Sequence, residues 1–166
     1  MISKVLSAAA IGYSGELIEV EGDSSQGLPS LQIVGMGNKA IDESKERVRS
    51  AIKNSGLDFP KKKITINLAP AEIPKDGTSF DLPIAISILA ISGQLRPKDI
   101  NHRAFTGELS LSGDLRPIKG IINIVEKLKN SGVKEVFIPE KNYNQATLID
   151  GITIIPANNL RDIFLH

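Results

Sequence analysis

The chain has no cysteine, so it forms no disulfide and no thiolate-ligated zinc site, and its composition suits a reducing compartment. It has two histidines, His102 and His166, too few for a histidine-rich metal centre, and His102 in a polar Asn-His-Arg loop reads as exposed. Aromatic residues are 4% of the chain, which leaves little material for a base-stacking platform. The formal net charge is +1, so no overall charge draws the molecule to nucleic acid or acidic lipid, and only a local patch could do so. No apolar run approaches the ~20 residues that span a bilayer. The apolar start, AAAIGYSG, is short and continues into an alternating pattern, so it reads as a first strand rather than a leader. Together these features predict a cytoplasmic protein. A phosphate loop of the form G-x-x-x-x-G-K-[ST] is absent, so this chain should not bind and hydrolyse ATP through such a loop by itself.

What is present is ordinary for a globular domain. The 166 residues, 41% hydrophobic and 23% charged, suffice for one core. Residues 2–11 and 16–21 read as strands around a 12–15 hairpin turn, and 28–34 as a third strand. Asn38 is the expected N-cap of a helix over 39–54, in which Ala40, Ile41, Ser44, Val48, Ala51 and Ile52 share one face. Residues 64–68 form a fourth strand. A helix over 80–92 is apolar all round and should be buried, with Pro83 tolerated in its first turn. Short strands at 104–109 and 115–117, a helix at 119–131, a strand at 136–138, a short helix at 142–149, a strand at 152–155 and a helix at 158–164 complete the chain. The antiparallel start followed by alternating elements predicts an α+β or mixed α/β fold in one domain.

Three stretches could carry function. Gly35 to Ala40, GMGNKA, has the spacing of a dinucleotide loop but follows a hairpin, so it reads as a tight turn into a helix. Lys45, Arg49 and Lys53 with Lys61, Lys62 and Lys63 concentrate cations that could meet phosphates, although Asp42, Glu43 and Glu46 dilute the field. Ser79, in PKDGTS before the apolar helix, stands where a nucleophile could stand. A serine needs a base to become one, and spacing favours Thr78 or Ser79 as a helix cap, with Asp81 favouring the helix dipole.

PKDGTS resembles the serine loop of the ATP-dependent Lon proteases, and residues 106–142 resemble the second half of the same proteolytic domain. In that family the lysine of a Ser–Lys dyad lies two residues past the glycine of a Pro-Ile-x-Gly turn. Here the turn is Pro117-Ile118-Lys119-Gly120 and the matching position is Ile122. An isoleucine takes no proton from a serine, and neither Lys119 nor Lys127 is expected to replace it on the same face. The resemblance therefore implies a degenerate serine position at Ser79 and no catalytic residue.

A fuller resemblance covers nearly the whole chain. The GLP loop (27–29), IVGMGNKAIDESKERVR (33–49), NSG with FP (54–56, 59–60), INLAPAE (66–72) and FDLPIA (80–85) are similar to the N-terminal domain of the magnesium-chelatase-like AAA+ proteins of the YifB/ComM family. The resemblance implies a ribosomal protein S5 domain 2-like fold, Lon proteolytic-domain-like, with a mixed sheet and helices packed on it. It implies an excised single domain, 1–166, with an AAA+ module C-terminal to it that would bind ATP and magnesium. No cofactor or metal is expected in the fragment itself. Its implied partners are that module and sister subunits in a hexamer, with DNA a candidate and no membrane. The implied work is ring assembly and DNA processing, as a branched-DNA helicase in transformation or recombination. The alternatives are an active Lon-like peptidase using Ser79, and an interaction scaffold that never touches DNA.

Overall fold

A computed structural model describes residues 2–75 and 77–166. A long hairpin starts the fold. β1 (Ile2–Ile11) pairs with β2 (Ser14–Ser25) in an antiparallel ladder that closes at Ile11↔Ser14. The two-residue turn needs a left-handed backbone at Gly12, φ +59°. β2 is longer than the expected 16–21 because its second half pairs with β4 (Lys63–Ala69). β3 (Ser30–Val34), shorter than expected, runs parallel to β4, and α1 (Asn38–Asn54) makes the crossover between them.

β5 (Arg103–Phe105), β8 (Glu135–Pro139) and β9 (Thr153–Ala157) add in parallel on the other side of β1. The result is a seven-stranded mixed sheet of order β3-β4-β2-β1-β5-β8-β9. Helices cover both faces. α1, α2 (Asp81–Ile91) and α6 (Leu160–Leu165) close a core with Val5, Ile18, Val20, Ile64 and Ile66, while α4 (Ile121–Asn130) and α5 (Tyr143–Ala146) close a second with Ala8, Ala104 and Val136. The period-2 alternation of strand side chains makes this possible: Val5 and Ala9 face one core, Ala8 the other. α2 is buried at every residue but Ala90, as its all-apolar pattern predicts.

Several boundaries differ from the sequence expectation, each for a local reason. Gly37, not Asn38, holds the N-cap position of α1, and its carbonyl accepts the Ile41 N–H at 2.9 Å without any side-chain cap. Neither Thr78 nor Ser79 caps α2. Residues Thr78–Phe80 form a 3-10 turn, Leu82 N–H donates to the Gly107 carbonyl and Gly107 N–H donates to the Ser79 carbonyl, so neighbouring backbone does that work. The expected strand 104–109 breaks at Gly107, φ +158°, and its end becomes β6 (Glu108–Leu109), which pairs with β7 (Leu115–Arg116) in a small second sheet. α4 starts at Ile121, after Gly120 takes a left-handed φ of +75°. A short α3 (Pro97–Ile100) went unforeseen.

Candidate functional site

The C-terminal end of β1, the loop before α2 and the turn before α4 enclose a cleft of about 620 Å³. Ala9 to Gly12 form one wall, Pro74, Lys75 and Gly77 to Phe80 a second, and Ile118 to Gly120 with Asn123 and Ile124 a third. Local structure fixes each wall. Gly120 lies so close to β1 that a Cβ there would come 2.4 Å from Ala10 Cβ. Asn142, itself buried, clamps the turn by accepting the Ile118 N–H and donating to the Ile118 carbonyl. Asp76, part of the PKDGTS loop, lies outside the described residues.

Ser79 is half-buried and lines this cleft. Ile122 does not line the cleft. Its side chain is 36% exposed, and its neighbour Asn123 stands in the cleft wall instead. Lys119 is exposed at the cleft, and Lys127 lies in a separate depression beside Tyr13. Sequence reasoning overlooked Lys75, which is 2% exposed. Its ammonium donates to the Pro70 carbonyl at 2.5 Å and the Ile73 carbonyl at 2.6 Å. Burial pushes its pKa below the usual lysine range, with Glu72 opposing. Among the described residues no lysine is hydrogen-bonded to the Ser79 hydroxyl. The one available signal for Lys75 was its place between Ile73, Pro74 and the helix-entry loop.

Asp81 was expected to serve the helix dipole, but it anchors a buried network. Arg47 Nε donates to its Oδ2 at 2.6 Å, Ser44 Oγ to its Oδ1 at 2.8 Å, and the Leu109 N–H to Oδ2 at 3.1 Å. Burial pushes the Asp81 carboxyl up; Arg47 first, then the Leu109 N–H and Ser44, pull it back. The hydrogen bond to Asp81 raises Arg47, whose own burial acts against this. The network ties α1, α2 and β6 together behind the serine loop.

The candidate cations do not form one surface. Arg49, Lys53 and Lys61 line a shallow depression of about 290 Å³ with Pro29, Ser30, Phe59 and Pro60. The Arg49 guanidinium lies over the Phe59 ring, 5.3 Å from its centroid. Lys62 turns to another depression beside Ser24 and Ser92, Lys63 opens β4, and Lys45 is half-buried away from both. The GMGNKA turn has a structural cause: Gly35 has φ +100°, and a Cβ there would lie 2.5 Å from the Leu68 carbonyl oxygen. His102 is exposed as expected. No described helix is long and apolar enough to cross a membrane, and no described cluster of three or more His, Asp or Glu side chains could hold a metal.

Comparison with known proteins agrees with this fold. A family model described as subunit ChlI of Mg-chelatase matches residues 20–142. The chain is 41% identical over 162 residues to the uncharacterized protein YifB of Escherichia coli, covering 98% of the chain and 32% of that protein. It is 40% identical over 159 residues to the competence protein ComM of Haemophilus influenzae, covering 96% of the chain and 31% of ComM. A weaker likeness, 27% identity over 167 aligned positions, joins 93% of the chain to 21% of the Lon protease of Mycolicibacterium smegmatis. The chain thus spans about a third of the length of YifB and ComM. It belongs to the Mg-chelatase subunit ChlI family, on the side of that family occupied by YifB and ComM.

Proposed function

We propose that the chain is a non-catalytic N-terminal domain of a YifB/ComM-like AAA+ ATPase that acts in the cytoplasm, where it supports ring assembly and the positioning of DNA. The observation that carries the non-catalytic reading is the state of the cleft. The Lys75 amine that lines it is engaged by the Pro70 and Ile73 carbonyls, and the position matching a dyad lysine is Ile122. A serine hydroxyl without a proton acceptor is a weak nucleophile. ATP and magnesium do not fit these residues: the sequence has no phosphate loop, and the described residues offer no carboxylate cluster. We therefore assign both to a module outside the chain. Competence is named for ComM alone, and branched-DNA unwinding in transformation is our extension of it to this protein.

The test is hydrolysis of fluorescein-labelled casein by the chain and by Ser79→Ala. The expected result is the same background rate for both. Turnover that Ser79→Ala abolishes would overturn the reading in favour of a peptidase.

A specific observation favours DNA contact over a pure scaffold. Arg49, Lys53 and Lys61 converge on one depression whose described lining residues include no carboxylate. Such a cluster meets phosphates, and its affinity falls with salt.

A further inference from the structure

The two edges of the main sheet, β9 and β3, are built differently. At β9 the Thr153 N–H donates to the Lys134 carbonyl, so by strand alternation Ile154 and Pro156 turn their backbone outward. Pro156 has no N–H to offer, which guards that edge against a further strand. At β3 the Ser30 N–H donates to the Lys62 carbonyl at 3.2 Å. Ser30, Gln32 and Val34 therefore face β4, and Leu31 and Ile33 turn their N–H and C=O groups outward. No strand lies beyond β3 among the described residues. β3 holds no proline, lysine or acidic residue, and Leu28 just before it and Val34 at its end are 88% and 46% exposed. This edge carries none of the usual guards.

The same edge is complementary to itself. A two-fold axis at Gln32, normal to the sheet, would set Leu31 against Ile33 of a second copy, and Ile33 against its Leu31. Both are pairs that exchange hydrogen bonds in each direction, and Gln32 would meet its own copy in the close pair between them. Leu31 and Ile33 are buried on the core face, so the apolar layer would run on from one copy into the other. Charge agrees with this direction. α1 returns from the Val34 end of β3 to the Lys63 end of β4 on that core face. Its second half carries Arg49 and Lys53, while its first carries Asp42, Glu43 and Glu46 against Lys39 and Lys45. Arg49 lines a depression with Pro29 and Ser30, which puts it on the edge side of the helix. Asp42, exposed and about two turns earlier, shares that side. The two α1 helices would lie side by side in opposite directions, each Arg49 facing the other copy's Asp42.

We propose that the free edge of β3 pairs antiparallel with β3 of a second copy about Gln32, joining two sheets into one, with Asp42 and Arg49 of the flanking α1 helices matched across the axis. This pairing goes beyond the reading above and does not depend on contact with DNA.

The experiment is sedimentation velocity of the chain over a concentration series, without DNA, together with amide hydrogen exchange. The parent should pass from monomer to dimer as concentration rises. Its Leu31 and Ile33 amides should exchange more slowly as the dimer forms, whereas those of Gln32 and Val34, already directed at β4, should change little. Gln32 is exposed, so Gln32→Lys should fold normally. It places like charges side by side at the axis and should weaken the dimer at least about tenfold. Asp42→Lys and Arg49→Glu should each weaken it by about as much. An equimolar mixture of those two variants should recover the parent's affinity, because the mixed dimer has opposite charges at both contacts. Lys127→Glu, on the helix that covers the other face, should behave like the parent. A parent that stays monomeric at millimolar concentration would leave the edge to a strand of another protein and overturn the proposal. It is also overturned if the parent associates while Leu31 and Ile33 exchange as before, if Gln32→Lys associates like the parent, or if the mixture is no tighter than either variant alone.

Discussion

Arg47 and Asp81, thirty-four positions apart in the chain, meet through a 2.6 Å hydrogen bond that joins the middle of α1 to the first residue of α2. The carboxylate is 1% exposed, so it cannot turn to water when its partner is removed. Arg47→Ala should therefore cost about 3 kcal/mol of stability, the lower end for breaking a buried pair, because Arg47 itself is partly exposed. Urea unfolding should show this as a lower midpoint with an unchanged slope. Ser44→Ala, which removes one neutral donor to the same carboxylate, should cost about 1–2 kcal/mol. A loss below 0.5 kcal/mol for Arg47→Ala would show that the pair does not hold the helices together.

Lys75 predicts a pH effect of definite sign. Its folded pKa lies below its ordinary 10.5, so between the two values the unfolded chain binds more protons than the folded one. Stability should rise with pH across that alkaline window, by at most about 1.4 kcal/mol per pH unit. Lys75→Met should remove this rise. Thermal melts between pH 8 and 10.5 measure it, and an equal slope in both proteins would contradict the burial of the amine.

Gly35→Ala tests the reading of GMGNKA as structure. The new Cβ would press on the Leu68 carbonyl, and the residue would keep a left-handed φ. The expected cost is about 2–3 kcal/mol, read from the urea midpoint. Added NAD should leave the parent's melting temperature unchanged.

Lys53→Glu with Lys61→Glu should lower the affinity for branched and single-stranded DNA and make the dependence on salt shallower. Lys45→Glu, away from that depression, should change affinity much less. Fluorescence anisotropy across a salt series separates the two, and equal losses at the two places would argue for a diffuse field instead of a site.

Periodic patterning made most of the architecture legible. The amphipathic face of α1, the buried α2 and the opening hairpin follow from the spacing of Val48, Ala51 and Ile52, from an unbroken apolar run, and from Gly12 between alternating strands. The helix ends were less legible because backbone partners far along the chain replace side-chain caps, as Gly107 does for α2. The serine loop was legible as a motif and falls in the cleft. The roles of Asp81 and Lys75 were not, because each depends on burial and on groups brought from elsewhere: Arg47 and Leu109 for one, the Pro70 carbonyl for the other. The six cations were legible as a list, but their division among separate depressions depends on how α1 and the 58–63 segment pack.

The single β1–β5 pairing has a mechanical meaning. The β1–β2 ladder contains ten paired positions, whereas the described residues join β1 to β5 at one. Both hydrophobic cores reach across this thin join: Val5 and Ile18 pack in one with Phe105 and Phe137, and Ala8 packs in the other with Ala104 and Val136. Side-chain packing therefore carries the continuity of the sheet where the ladder is shortest, and slow amide exchange should persist on both sides of the line where β1 passes β5.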